Sequence, residues 1–179
     1  MEIEKILKKI LKEFGKEYVN YGLIGGFAIG IYGIIRATMD IDFLLSEKDV
    51  EKVIDITKKM GYRIFNRSDY VLQVNHKKED FGNIDFLIAR GEIGKDMLDK
   101  CVEKRVFDDY IRVLRLEDII GLKIQSYKND PKRYIKENYD IEWIMEENGK
   151  KLDWERIKKY YVLFDDRERY LELRERYGK

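Results

Sequence analysis

Two aspartates that alternate with large apolar residues constrain this sequence more than any other feature. The run Met39–Leu45 reads Met-Asp-Ile-Asp-Phe-Leu-Leu, an alternation that predicts a β-strand. On a strand, Asp40 and Asp42 leave the same face, while Ile41 and Phe43 enter the core on the other face. Parallel carboxylates repel each other unless a cation lies between them, and a hard divalent ion such as Mg²⁺ prefers oxygen ligands. The run therefore predicts a core strand with an acidic, metal-binding face.

A pair of glycines precedes this strand. Gly25 and Gly26 follow a short predicted strand, Tyr21–Ile24, and lead into a small apolar run, Phe27–Tyr32, that we expect to be a helix. Glycines allow close approach of the backbone, and a helix N-terminus directs unpaired N–H groups at an anion. The pair therefore predicts a phosphate-binding turn.

A third aspartate lies in another apolar run. Asp85 belongs to Asn83–Ala89, where an aspartate is disfavoured both by strand propensity and by burial, so it needs a partner or a purpose. Three such aspartates in two strands would suit two divalent ions. Two ions would align an attacking hydroxyl and offset the charge of a triphosphate in an in-line displacement.

The composition excludes several other classes of protein. A length of 179 residues suits one domain with a real core, or one domain with a small satellite. One cysteine and one histidine cannot supply a structural zinc site, and a net charge of +1 gives no global reason for nucleic-acid binding. No stretch approaches the roughly 18 apolar residues that cross a bilayer, so we expect a cytoplasmic protein without a membrane partner. The Walker and nicotinamide-binding fingerprints are also absent from the sequence.

The remaining periodicity predicts an α+β protein. Amphipathic helices are expected over 2–15, 47–60 and 116–127, after Asp130, and twice in the last 30 residues. Further strands are expected near 62–65, 70–75, 83–89, 104–107 and 111–114. This pattern predicts a core over residues 1–115 and a helical C-terminal part over residues 116–179, packed on the core.

These motifs resemble those of a known family. The glycine pair, thirteen intervening residues and Asp-x-Asp, preceded by Arg36-x-Thr38, resemble the signature of the DNA polymerase β-like nucleotidyltransferase superfamily. Two later segments, 116–123 and 132–141, resemble the C-terminal motifs of its AbiEii-type branch, which contains toxins of toxin–antitoxin pairs. Glu137 departs from that pattern, which has Asp at its position, and Gly26 stands where many members carry Ser. The resemblance spans about residues 20–145 and implies a nucleotidyltransferase-fold mixed β-sheet flanked by helices.

The resemblance also implies an activity and a site. The implied enzyme moves a nucleoside monophosphate from an NTP to an acceptor hydroxyl, with release of pyrophosphate and with Mg²⁺ or Mn²⁺ as cofactor. Its acceptor would be tRNA or a small hydroxyl compound, and the toxin-like branch implies an antitoxin protein as partner. Asp40 and Asp42 would bind both metals, and Asp85 would bind the catalytic metal and help to activate the acceptor. The implied NTP-binding residues are Gly25, Gly26, Arg36, Thr38, Lys123 and Asp140.

Three alternatives stay open at the level of sequence. Lys123 is either a functional cation or a side chain that reaches solvent from an apolar helical face. Arg36 either contacts a phosphate or pairs with Asp40 or Asp42 and offsets their repulsion. The whole chain is either an enzyme or a catalytically inert nucleotidyltransferase-fold module that binds or regulates a partner.

Overall fold

The chain forms two compact units. In a computed structural model, residues 2–34, 38, 40–78, 81–106 and 108–179 are described. The units are Met1–Leu114 and Arg115–Lys179. The boundary expected from the sequence lay between residues 115 and 116.

The first unit is built on a mixed sheet. Its strands are β1 (Tyr21–Ile24), β2 (Ile41–Ser46), β3 (Tyr62–Arg67), β4 (Val71–His76), β5 (Asn83–Ala89), β6 (Val102–Val106) and β7 (Asp109–Val113). Among the described residues these seven strands follow the order β3-β4-β5-β2-β1-β7-β6. The pairs β2–β5 and β1–β7 are parallel, and the other neighbours are antiparallel. The predicted α+β class and mixed sheet are therefore confirmed.

Four α-helices accompany the strands of this unit in the described part of the chain. They are α1 (Glu2–Lys16), α2 (Gly25–Ile31), α3 (Val50–Lys59) and α4 (Gly91–Asp99). The apolar stripe of α1 is buried, and the ring of its Phe14 lies 5.4 Å from that of Phe43 on β2. Phe43 in turn stacks on Phe86 of β5 at 5.6 Å. The three rings form an aromatic cluster on one face of β2 and β5, because Phe43 and Phe86 are paired in register.

All the regular secondary structure of the second unit is helical. Its helices are α5 (Leu116–Asn129), α6 (Tyr134–Asn148), α7 (Trp154–Leu163) and α8 (Arg167–Tyr177). Asp130 caps the 3₁₀ turn Pro131–Arg133 that precedes α6, since its Oδ1 accepts a hydrogen bond of 3.1 Å from the Lys132 amide. Across all the described residues, we find no helix with both the length and the apolar character that a membrane span requires.

A buried carboxylate organises the interior of this second unit. Asp118 on α5 is fully buried, and it accepts a hydrogen bond of 2.5 Å from the Tyr160 hydroxyl. Arg156 of α7 donates to the same carboxylate oxygen, and Arg115 donates to the other oxygen at 3.2 Å. These contacts compensate the buried charge, which a low-dielectric interior would otherwise disfavour.

Candidate active site

The strand register places two of the predicted aspartates beside each other. Asp42 on β2 pairs with Asp85 on the parallel strand β5, and both side chains are half-buried. On its other side, Asp42 pairs with Ile24, the last residue of β1. Because Gly25 follows Ile24 directly, the glycine turn also lies next to this carboxylate pair. The structure thus brings together the glycine motif and the aspartates of both strands.

Gly25 lies against the carboxylate of Asp42. Its φ angle of +70° is in the left-handed region, which glycine adopts without strain. A Cβ atom at this position would lie 2.0 Å from Asp42 Oδ2 and 2.8 Å from Asp42 Cβ. Any larger residue would therefore displace the aspartate or the turn.

Gly26 and Thr38 pack against each other at the start of α2. A Cβ atom on Gly26 would lie 3.1 Å from Thr38 Cβ, and Thr38 Oγ1 donates a hydrogen bond of 3.3 Å to the Asp40 carbonyl. Ile24 precedes the helix and provides no side-chain cap for its first N–H groups. Arg36, which the sequence also assigns to this site, lies outside the described residues.

Asp85 has an unusual electrostatic environment. Its Oδ2 accepts a hydrogen bond of 2.8 Å from Gln73 Nε2 on β4. Its Oδ1 is buried, and in the described part of the chain it has no hydrogen-bond partner. Burial raises the pKa of Asp85, the hydrogen bond from Gln73 opposes this shift, and the nearby charge of Asp40 adds to it. Asp85 therefore holds a proton more tightly than an ordinary aspartate, and one of its oxygens accepts no hydrogen bond from the described residues.

The aspartates suit a hard divalent cation in their chemistry. Their donor atoms are carboxylate oxygens, and the orphaned Oδ1 of Asp85 is the kind of atom that a bound cation would satisfy. Asp40 lies one residue before β2 and is exposed to solvent. As far as the chain is described, no three His, Cys, Asp or Glu side chains form a ready-made metal-binding group. The donor atoms of these residues thus suit the cation, although the described residues do not form a complete set of ligands.

Two polar residues extend this site, and the sequence analysis missed both. Gln73 donates to Asp85, and Asn66 Nδ2 of β3 donates to Gln73 Oε1 at 2.8 Å. Gln73 is an isolated polar residue within the predicted strand 70–75, which was the available signal, whereas Asn66 follows the predicted strand 62–65 and gave none. Their alignment with Asp85 depends on the register of three strands, which the local pattern does not reveal.

Lys123 and Asp140 form a cluster within the second unit. Lys123 on α5 is only 8% exposed, and its Nζ donates to Asp140 at 2.5 Å and to Glu137 at 2.7 Å, both on α6. Arg133 also donates to Glu137. Burial opposes ionisation of Glu137, but the charges and hydrogen bonds of Lys123 and Arg133 outweigh it and lower its pKa. The charge of Lys123 is therefore compensated inside this unit, and the NTP-binding role of Lys123 and Asp140 stays a prediction.

Comparison with known proteins identifies similar sequences. A family model described as uncharacterised nucleotidyltransferase matches residues 2–161. Among curated proteins, the chain is 27% identical over 150 residues to the protein translocase subunit SecA 2 of Clostridioides difficile strain 630. That match covers 78% of this chain but only 17% of the length of SecA 2.

Solved structures show the same fold. The solution structure of the antibiotic-resistance factor ANT(2'')-Ia has a TM-score of 0.68 at 18% identity, covering 98% of this chain and 99% of its own. The crystal structure of ANT(2'')-Ia with adenylyl-2''-tobramycin has a TM-score of 0.65 at 16% identity, covering 92% and 97%. The lincomycin-bound lincosamide adenylyltransferase LnuA has a TM-score of 0.57 at 20% identity, covering 77% and 93%. At these identities the likeness concerns the fold, which is that of nucleotidyltransferases, as the sequence predicted.

Proposed function

Because the chain belongs to the family of uncharacterised nucleotidyltransferases, we propose that it moves a nucleoside monophosphate from an NTP to an acceptor hydroxyl. The observation that carries this proposal is the register of Asp42 with Asp85, directly beside the turn at Gly25. A phosphate-binding turn and two neighbouring carboxylates are the parts that phosphoryl transfer requires, because catalysis there consists mostly of positioning and charge compensation.

The glycine turn and its neighbours would bind the NTP. Gly25 and Gly26 have no side chains, so the phosphates can approach the amide groups at the start of α2. Thr38 packs against Gly26. Arg36 is proposed as a further phosphate contact on the family resemblance alone. Lys123 and Asp140 are proposed as further NTP-binding residues on the family resemblance alone.

Asp40, Asp42 and Asp85 would hold Mg²⁺ or Mn²⁺. When bound, such ions compensate phosphate charge and orient the reacting oxygens. The orphaned oxygen and the raised pKa of Asp85 support this assignment, because both indicate a carboxylate that lacks compensating charge.

The proposed step is an in-line displacement at the α-phosphorus. The acceptor oxygen forms a bond to the α-phosphorus while the bond from that phosphorus to the bridging β-phosphate oxygen breaks. Pyrophosphate leaves with the electron pair of the broken bond. Asp85 would accept the proton of the acceptor hydroxyl, the role that the family resemblance implies for it.

A transfer assay tests the proposal. Each of the four α-³²P-labelled nucleoside triphosphates would be incubated with the protein, Mg²⁺ or Mn²⁺, and either total tRNA or a pool of small hydroxyl compounds. We expect labelled acceptor and pyrophosphate in equal amounts from the wild type, and no transfer from Asp42→Asn. The matched control is Asp55→Asn, which changes an exposed aspartate on α3 and should retain full activity. Unimpaired transfer by Asp42→Asn would contradict the proposal.

The acceptor arms of the assay separate the remaining alternatives. Labelled tRNA would favour the hypothesis of an AbiEii-type toxin. Expression of such a toxin should arrest cell growth, and co-expression of an antitoxin protein should restore it. A labelled small compound would favour an acceptor like the antibiotics named for LnuA and ANT(2'')-Ia. If an NTP with metal raises the melting temperature but no acceptor is labelled, the NTP site is intact and other acceptors must be tried; if no NTP raises it, an inert binding or regulatory module is favoured.

A further inference from the structure

We propose that Gln73 positions the carboxylate of Asp85 for catalysis, and that Asn66 fixes the orientation of Gln73. This inference rests on the proposed nucleotidyltransferase function. Gln73 touches no reacting atom in this scheme, and it acts only through Asp85.

The sheet register aligns these residues in a single row. Asn66 on β3 pairs with Gln73 on β4, Gln73 pairs with Asp85 on β5, and Asp85 pairs with Asp42 on β2. Two hydrogen bonds of 2.8 Å connect the first three side chains. Exposure decreases along the row, from exposed Asn66 to half-buried Gln73 and Asp85. The row therefore runs from the edge strand of the sheet to the proposed active site.

A β-bulge brings Asn66 into this row. The pairing of β3 with β4 shifts between Ile64 and Asn66, so that Ile64 faces Val74 and Asn66 faces Gln73. Without the shift, Phe65 would face Gln73. Bulges insert one residue and redirect the side chains that follow, and they are frequent beside active sites. The irregularity here replaces an aromatic residue with a hydrogen-bond donor.

The chemistry of the amides gives the row a direction. An ionised carboxylate only accepts hydrogen bonds, so Gln73 must present its NH₂ group to Asp85. The Oε1 of Gln73 then faces away from Asp85 and needs a donor of its own. Asn66 supplies that donor through Nδ2. A flipped Gln73 amide would lose its hydrogen bond to ionised Asp85, so the carboxylate sets the direction of the row and Asn66 satisfies the remaining oxygen of Gln73.

The consequence lies in the two oxygens of Asp85. Its Oδ2 accepts a hydrogen bond from Gln73, whereas Oδ1 has no hydrogen-bond partner among the described residues. A carboxylate held at one oxygen cannot rotate freely, so the other oxygen keeps its direction. Groups that orient a ligand or base in this way affect metal affinity and rate without contacting the substrate.

Single variants test the positioning role. Gln73→Met keeps the length of the side chain but removes the donor, and we expect kcat to fall about 10- to 100-fold. The KM for the NTP should stay within about twofold, because the glycine turn binds the phosphates. Gln73→Glu loses the donor to Asp85 and adds a second negative charge beside it, so it should show at least as large a loss if Gln73→Met folds poorly. Asn75→Ala is the matched control, since Asn75 lies two residues further along the same face of β4 and should leave kcat unchanged.

A double-mutant cycle tests the role of Asn66. Asn66→Ala removes one hydrogen bond and should lower kcat about 3- to 10-fold. The variant carrying both Asn66→Ala and Gln73→Met should be no slower than Gln73→Met alone, because Asn66 acts only through Gln73. Additive losses would overturn the relay, and wild-type kcat in Gln73→Met would overturn the positioning role.

The outcomes also separate this inference from the proposed function. An active wild type with an unaffected Gln73→Met variant overturns only the positioning role. A wild type that transfers no nucleotide overturns the proposed function, and Mn²⁺ binding then tests the positioning role by itself. We expect Gln73→Met to bind Mn²⁺ about tenfold more weakly than the wild type. Equal affinity, or no binding by either protein, would overturn the inference.

Discussion

Replacing Gly25 by alanine should damage both the stability and the activity of this protein. The new Cβ atom would lie 2.0 Å from Asp42 Oδ2, so reaching an ordinary contact of 3.4 Å requires a shift of about 1.4 Å. Rotation of the aspartate cannot relieve the clash, because Asp42 Cβ itself lies only 2.8 Å away and is fixed to β2. Either the strand or the glycine turn must therefore move.

The expected loss of stability has two parts. A left-handed φ of +70° costs an alanine about 1–2 kcal/mol, and overpacking typically costs about 1–3 kcal/mol. The free energy of unfolding should thus fall by about 2–5 kcal/mol. A displacement of about 1 Å at a reacting group can lower activity about 100-fold, so nucleotide transfer should fall by at least that factor.

Gly30→Ala is the matched control for this substitution. Gly30 belongs to the same helix α2 and is exposed, and a Cβ atom there would meet none of the described residues within 4 Å. Alanine should raise the stability of the helix by up to about 1 kcal/mol and leave transfer unchanged. Urea unfolding and the transfer assay would be run on both variants. Equal stability and equal activity of the two variants would refute the close approach of Gly25 to Asp42.

Three further substitutions probe buried charges. In metal-free buffer, Asp85→Asn should be more stable than the wild type at pH 7, because a raised pKa means that ionised Asp85 destabilises the fold. The difference should vanish below about pH 3.9, where the aspartate is protonated in the unfolded chain too, and a less stable variant at pH 7 would contradict this reasoning. Lys123→Met should lower the free energy of unfolding, measured with urea at pH 7, by about 3–5 kcal/mol. The loss should become smaller in acid, where Glu137 is protonated. A loss below about 1 kcal/mol at pH 7 would show that the cluster does not stabilise the fold. Tyr160→Phe removes one hydrogen bond to buried Asp118 and should cost about 1.5–3 kcal/mol, whereas unchanged urea unfolding would exclude that bond.

Local patterns were sufficient to predict the main elements of the site. The alternation around Asp42 and Asp85 identified both strands, since a period of two follows directly from strand geometry. The glycine pair identified the start of α2 for a similar reason, because Gly25 adopts a backbone angle that other residues avoid. Only the ends of these elements differed from the prediction. The strand β2 begins at Ile41, so Asp40 lies just outside it.

Non-local features could not be predicted in the same way. Asn66 and Gln73 join the site only through the pairing of β3, β4 and β5, and through a one-residue shift in β3. The register of a strand depends on its neighbours in the sheet, so it cannot be predicted from a short segment of sequence. The pairing of Lys123 with Glu137 and Asp140 is similar, because it depends on how α5 packs on α6. Sequence could identify Lys123 as an unusual cation but not name its partners.

The parallel pairing of β2 with β5 also determines when the acidic site can exist. Asp42 and Asp85 are 43 positions apart, and α3, β3 and β4 lie between them in the chain. Contacts across such a separation form late, because the loop must close before the strands gain from pairing. The repulsion between the two carboxylates is therefore absent while the chain searches for its fold. It arises only once β2 and β5 have paired.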